Sequence, residues 1–394
     1  MKRSFVLLVT LLLTVPLLAQ QEEGPATATG TSVNMTGKGY SAAIVVETTT
    51  KRILFEENAH VPLGTASMAK MMTVLIAMQQ IQEGQIKLDT PVTISARASK
   101  MGGSQIYAKE GQVFPMQTLI AATMIQSAND AAEAIAEKVG GSAEGFADMM
   151  NDKARQMGLK ESTFYDPHGL PNSEDPKHVD TMSAYDLAML GIEVMKDPLI
   201  REYAKTATMP FTNATFTAGL TNPNHLINPQ KRDYFADATG IKTGFSAPAG
   251  YCVTASATRG TMSLVCVVMG AKAPSGPESS FAIAAKLMND AFRTYRVLTV
   301  VKKGAVVGQV PVTDGQSKTV AAAAAADVNA LVKRGEETGV KTSLAPSPAT
   351  APVRAGQQVG VVVVSQGGKQ INRVPAIAAA NVDKQAWWRK FWPF

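Results

Sequence analysis

Three short groups of residues carry types and spacings that can do covalent chemistry. Ser67 and Lys70, in SMAK, stand three apart, which on a helix puts a hydroxyl and an amine on one face. A helix N-terminus beneath the serine favours negative charge there. A lysine held away from water can lose its proton and serve as base toward a hydroxyl. Ser127 and Asn129, in SAN, put a hydroxyl and an amide two apart in a short polar break. Lys242, Thr243 and Gly244 follow as KTG at the start of a β-rich run. The lysine and threonine suit a carboxylate, and the glycine suits close approach of a backbone or ligand. Each group alone has a plainer reading: a capping serine, a helix cap at Asn129 or Asp130, an edge-strand lysine. Lys70 resists that reading, because it stands among methionines in a segment apolar nearly all round.

The elements that must position these residues can be read from the pattern. SAAIVVE, TTTKR and ILFEE read as strand, turn, strand from Tyr40 onward. Residues 67–83 form an apolar helix stopped at Gly84, and residues 115–126 form a second with Pro115 at its start. The SAND break separates that helix from AAEAIAEKVGG, and residues 181–204 read as helical again. From Asp237 two β-rich runs join at Arg259-Gly260, and SSFAIAAKLMNDAFRTY closes the region as a helix. A two-residue turn there pairs Thr258 with Thr261 and sets Cys252 and Cys266 diagonally, on opposite faces, as two buried thiols. Strands, helices, strands and a last helix predict an α+β fold, an antiparallel sheet covered by helices.

Around residue 297 the text turns to short Val-rich strands, predicting a small all-β domain over 297–380 that follows a catalytic domain over 38–296. The alanine run 321–326 and SLAPSPATAP read as loops. Lys2 and Arg3 before the apolar run Phe5–Leu18, with Ala19 after it, read as a signal peptide over 1–19, followed by a flexible arm over 20–37. That reading implies work outside the cytoplasm. Residues 381–394 hold all three tryptophans of the chain; Trp387, Trp388, Phe391 and Trp392 share one helical arc with Arg389 and Lys390 outside it. This predicts an amphipathic segment resting on a membrane surface.

Of 394 residues, 38 are cationic and 32 anionic, and no dense basic block carries interleaved aromatics, which disfavours nucleic acid as a partner. Two cysteines make no disulfide framework, and His60, His168, His178 and His225 have no metal-ligand spacing. No metal or cofactor is expected.

SMAK, SAN and KTG in that order, on helix start, inter-helix loop and strand, resemble the penicillin-recognising serine hydrolases. GTASMAKMMT, IQSANDAAEAIAE, MGLKESTFYDPHGLP, GIKTGFSAPAGYC and SATRGTMSLVCVVMGA resemble one branch, the low-molecular-mass penicillin-binding proteins that are D-alanyl-D-alanine carboxypeptidases. The resemblance implies a periplasmic enzyme removing the terminal D-alanine from peptidoglycan stem peptides and acylated by β-lactams. It implies Ser67 as nucleophile, Lys70 as base and Ser127 as proton relay. Asn129 would hold Lys70 and the substrate backbone, and Lys242 and Thr243 would bind the terminal carboxylate. Gly244 precedes Phe245, whose backbone N–H with that of Ser67 would form the oxyanion hole. Many relatives carry His where Phe245 stands. Arg232, Arg259 and Lys272 are candidates for a further carboxylate-binding cation. Competing readings are a serine β-lactamase with Glu161 as second base, a D-alanyl endopeptidase, and a non-catalytic cell-wall scaffold.

Overall fold

The computed structural model describes residues 39–171, 178–213, 217 and 219–385. The predicted signal peptide and arm, and the aromatic residues of the C-terminal segment, lie outside the described residues.

The catalytic region is built on a five-stranded antiparallel sheet. Its strands are β1 (Ala42–Glu47), β2 (Ile53–Glu57), β3 (Ala238–Ser246), β4 (Gly250–Arg259) and β5 (Met262–Ala271), in the order β2-β1-β5-β4-β3. Both faces of the central strands are buried, which explains their continuous apolar runs. Ile44, Val265 and Val267 pack into one cluster with the helices, while Val45, Leu264 and Val268 pack into another against the last helix. The helices are α1 (Lys70–Gln82), α2 (Met116–Ile125), α3 (Asn129–Gly140), α4 (Ala143–Met157), α5 (Ala184–Val194), α6 (Pro198–Lys205) and α7 (Ser280–Thr294). The α+β expectation holds.

Four local expectations are corrected. The 181–204 helix is two helices after a short strand: Thr181–Met182 pairs with Leu63–Gly64, Ser183 caps α5, and Asp197-Pro198 breaks the chain and restarts it as α6. Proline at the first helical position and an aspartate cap make a new helix start. The β4–β5 turn lies at Gly260-Thr261, because Arg259 pairs with Met262. Cys252 and Cys266 nevertheless face opposite clusters, as buried free thiols. Residues 321–324 of the alanine run lie in a strand, not a loop, and the strand ends before Ala325 and Ala326.

That strand belongs to the C-terminal all-β domain: β6 (Tyr295–Val301), β7 (Val306–Thr313), β8 (Thr319–Ala324), β9 (Val328–Lys333), β10 (Val340–Pro346), β11 (Gln358–Gln366) and β12 (Lys369–Ala378). Ala322 and Ala324 are fully buried against a valine core, where small side chains let the layers pack closely. SLAPSPATAP likewise supplies the end of β10 and a two-residue strand, Ala349–Thr350, at the sheet edge. Residues 381–385, assigned from sequence to the tail, pair with this domain: Val382 bridges Val353 and Lys384 bridges Gly315. Among the described residues no helix is long and apolar enough to cross a membrane.

Candidate active site

Ser67 sits in a 3-10 turn, Ala66–Ala69, that feeds directly into α1. Three residues per turn stack side chains i and i+3 one above the other. That geometry puts Lys70 Nζ 2.8 Å from Ser67 Oγ. Met68, Met71 and Met72 around it are completely buried, and so is Lys70. Burial pushes the Lys70 amine well below the ordinary lysine value, and the nearby Lys242 charge pushes the same way.

Two backbone positions near the nucleophile are strained. Ala66 (φ 45°) and Ser127 (φ 61°) both adopt the left-handed conformation without being glycine. Such residues cost about 1–3 kcal/mol each and concentrate where geometry serves function. At Ser127 the turn aims the hydroxyl out of the α2–α3 break and onto Lys242 Nζ, 2.8 Å away. Lys242 is buried, also donates to its neighbour's carbonyl on Thr243 at 3.2 Å, and is pulled down by burial to about 7.

Asn129 departs from the expected role. Its Nδ2 donates to Gly102 O at 2.6 Å and its backbone N–H to Ser104 O at 2.7 Å, so it pins the 102–104 loop. Its Oδ1 is buried without a hydrogen-bond partner. The contact expected between Asn129 and Lys70 is replaced by another: Lys70 Nζ donates to the carbonyl of His168 at 2.7 Å. A loop carbonyl reaches the amine because Thr73 Oγ1 also binds Pro167 O at 2.6 Å, drawing the DPHGLP turn down onto α1.

Ser67, Ser127, Asn129, Thr243, Gly244 and Phe245 line one cleft of about 400 Å³. Gly244 is required by close approach, since a Cβ there would meet Thr65 O at 2.8 Å. The Phe245 ring is exposed and stacks on Tyr251, centroids 4.4 Å apart, leaving its backbone at the cleft wall. Glu161 does not line the cleft: its carboxylate takes Ser183 Oγ at 2.9 Å and faces His60. Arg232, Arg259 and Lys272 do not line it either, and Arg259 is tied to Asp237 and Asn289.

Sequence reasoning missed the charged layer behind Lys70. The His168 ring lies between Asp166 (Nδ1–Oδ1 2.8 Å) and Glu133 (Nε2–Oε2 3.6 Å), with Arg97 Nε 2.7 Å from Glu133 Oε1. Burial raises Glu133 to about 7 despite Arg97, and raises Asp180 far above the carboxylate range. Burial lowers the His168 imidazole, against the pull of Asp166. The one available signal was a glutamate in the alanine-rich stretch after SAN, on a helix face that had to be buried.

A buried amine against a serine hydroxyl, a second serine held by a second lysine, and a helix-covered antiparallel sheet define a serine acyl-transferring enzyme of the penicillin-recognising class. Residues 31–273 match the D-alanyl-D-alanine carboxypeptidase family, and residues 295–384 match the C-terminal domain of penicillin-binding protein 5. The chain therefore belongs to the D-alanyl-D-alanine carboxypeptidase family, as a low-molecular-mass penicillin-binding protein. It is 32% identical to the carboxypeptidase DacF of Bacillus subtilis, over 96% of this chain and 95% of that one. It is also 32% identical to the carboxypeptidase DacC of Escherichia coli, over 90% of this chain and 86% of that one. Among solved structures, a peptidoglycan synthesis regulatory factor (PBP3) of Streptococcus pneumoniae superposes with TM-score 0.76 at 25% identity, covering 88% of this chain and 100% of that one. Penicillin-binding protein 5 of Haemophilus influenzae gives 0.74 at 25%, covering 88% and 98%.

Proposed function

We propose that this serine D-alanyl-D-alanine carboxypeptidase trims peptidoglycan stem peptides through an acyl-enzyme on Ser67. The carrying observation is the 2.8 Å contact between Ser67 Oγ and a fully buried Lys70 amine. Neutral Lys70, anchored through one N–H to the His168 carbonyl, offers its lone pair to the Ser67 proton. Ser67 Oγ attacks the carbonyl of the penultimate D-alanine, and the oxyanion is received by the backbone N–H groups of Ser67 and Phe245. Ser127 passes a proton to the leaving amine while Lys242 keeps its hydroxyl oriented. The C–N bond breaks, D-alanine departs, and water hydrolyses the ester. The unpartnered Asn129 Oδ1 suits an N–H of the substrate backbone. Thr243, which lines the cleft, and the buried Lys242 beside it would receive the terminal carboxylate. β-Lactams would acylate the same oxygen. No second carboxylate base lines the cleft among the described residues, which supports slow release of the penicilloyl ester over β-lactamase action.

The signal-peptide reading of 1–19 supports an extracytoplasmic location. Because 381–385 pair with the β domain, the proposed membrane contact narrows to 386–394. The test is incubation with labelled penicillin and mapping of the adduct, beside D-alanine release from a stem pentapeptide. Adduct on Ser67 and release of D-alanine are expected. Label elsewhere, or none, defeats the assignment. Comparing vesicle partition of the chain ended at Gln385 with that of the full chain tests the membrane contact; equal partition rejects it.

A further inference from the structure

We infer that His225, oriented by Asp233, is the side chain that completes the site for the substrate's terminal carboxylate; this rests on the acyl-enzyme reading above and adds a residue to it. Lys242 is held behind Ser127, and no arginine lines the cleft among the described residues. His225 and Phe281 also line the cleft. The imidazole Nδ1 lies 3.2 Å from Asp233 Oδ2, and the ring stacks on Phe281 with centroids 4.6 Å apart and planes at 25°. The Asp233 side chain is only 4% exposed, whereas His225 keeps 25% of its own. In the imidazolium form both ring nitrogens donate, Nδ1 to Asp233 and Nε2 to an anion in the cleft. The ring therefore has one edge fixed by an acid and the other free to donate to an anion.

Among the described residues the ion pair given for this ring is the one with Asp233. On β3 the charged side chain is Lys242, itself committed to Ser127. On α7, Asp290 pairs with Lys286 and Arg293, while the start of the helix presents the uncharged Ser280 and Phe281 to the cleft.

The experiment compares acylation of Ser67 by benzylpenicillin, which carries a free carboxylate, with acylation by its methyl ester, which does not. The ratio of the two second-order rate constants is independent of the folded fraction. A hydrogen bond to a charged group is worth enough for a ~10-fold or larger effect. We expect His225→Ala to lower the acid-over-ester preference by about that factor, His225→Arg to retain most of it, and Asp233→Asn to lose part of it. Equal slowing of acid and ester would make His225 only a piece of wall and overturn the inference. An unchanged preference would overturn it as well. Wild type labelled on Ser67 with an unmoved ratio rejects His225 alone; wild type that takes no label rejects the parent reading and this one together.

Discussion

Lys70 Nζ and the carbonyl oxygen of His168 lie 2.7 Å apart although 98 residues separate them in the chain. The amine that must deprotonate a serine is thus held by the backbone of a distant turn, not by a side chain. A backbone acceptor cannot titrate, so it fixes the amine without supplying the counter-charge that would keep it protonated. Asp166, Asp180 and Asp130 do pull the other way through space, but burial and Lys242 outweigh them.

The clamp depends on Gly169. It has φ +75°, and a Cβ there would meet Ala66 O at 1.9 Å. Gly169→Ala should therefore displace the turn from the nucleophile's own 3-10 segment. Overpacking of this kind costs about 1–3 kcal/mol. Thermal unfolding should report that loss, and penicillin acylation should slow beyond what the folded fraction explains. Native acylation per folded molecule would refute the clamp.

The pH profile of acylation follows from the two lysines. Lys70 must be neutral, so the rate falls as acid protonates it. Lys242, pulled down to about 7 by burial, loses its charge above that value, and carboxylate binding weakens. The expected profile for free enzyme is a bell. Lys242→Arg should move its alkaline limb upward, because a guanidinium stays charged. Lys70→Arg should abolish acylation at every pH while leaving non-covalent penicillin binding measurable. An alkaline limb unmoved by Lys242→Arg argues that Lys242 does not serve the carboxylate.

How much of this was readable beforehand varies with the physical range of the cause. The Ser67–Lys70 juxtaposition was legible because helix spacing fixes it, whereas the Ser127–Lys242 contact joins segments 115 residues apart and was reached through the resemblance alone. The strands of the central sheet were legible from their apolar runs. Residues 319–324 were not, because alanine has little strand preference of its own and becomes a strand only where a valine layer packs on it. The β4–β5 turn slipped because Arg259 extends the ladder to Met262, a choice set by pairing and not by the turn dipeptide. The Lys70–His168 contact lies between segments 98 residues apart, and no local pattern reports it.

Ser127 offers a cleaner test of the relay than either lysine. Its hydroxyl accepts from Lys242 and lines the cleft, yet it is small and sits between two packed helices. Ser127→Ala removes the oxygen and leaves the fold intact. Loss of a positioned proton donor costs on the order of 100-fold or more, so D-alanine release should fall by about that factor. Its amine-bearing substrate should suffer more than an ester analogue, whose leaving group needs less help from a proton. Equal losses for amide and ester would place Ser127 in orientation of Lys242 instead.

Glu133 provides a stability readout that does not involve substrate. Its side chain is fully buried beside His168 and raised from 4.5 to about 7. Between those values the folded protein holds a proton that the unfolded chain has lost. Stability therefore falls as pH rises through that window, and the cost is fully present above about 7. Glu133→Gln carries no such charge and keeps the shape. The unfolding free energy of the variant minus that of the wild type, read from denaturant titrations, should grow from pH 5 to pH 8 by on the order of 1–3 kcal/mol, since each pKa unit is worth about 1.4 kcal/mol. A difference that shrinks over that range would mean that the Arg97 pair dominates and that Glu133 is an ordinary carboxylate held in its charged form.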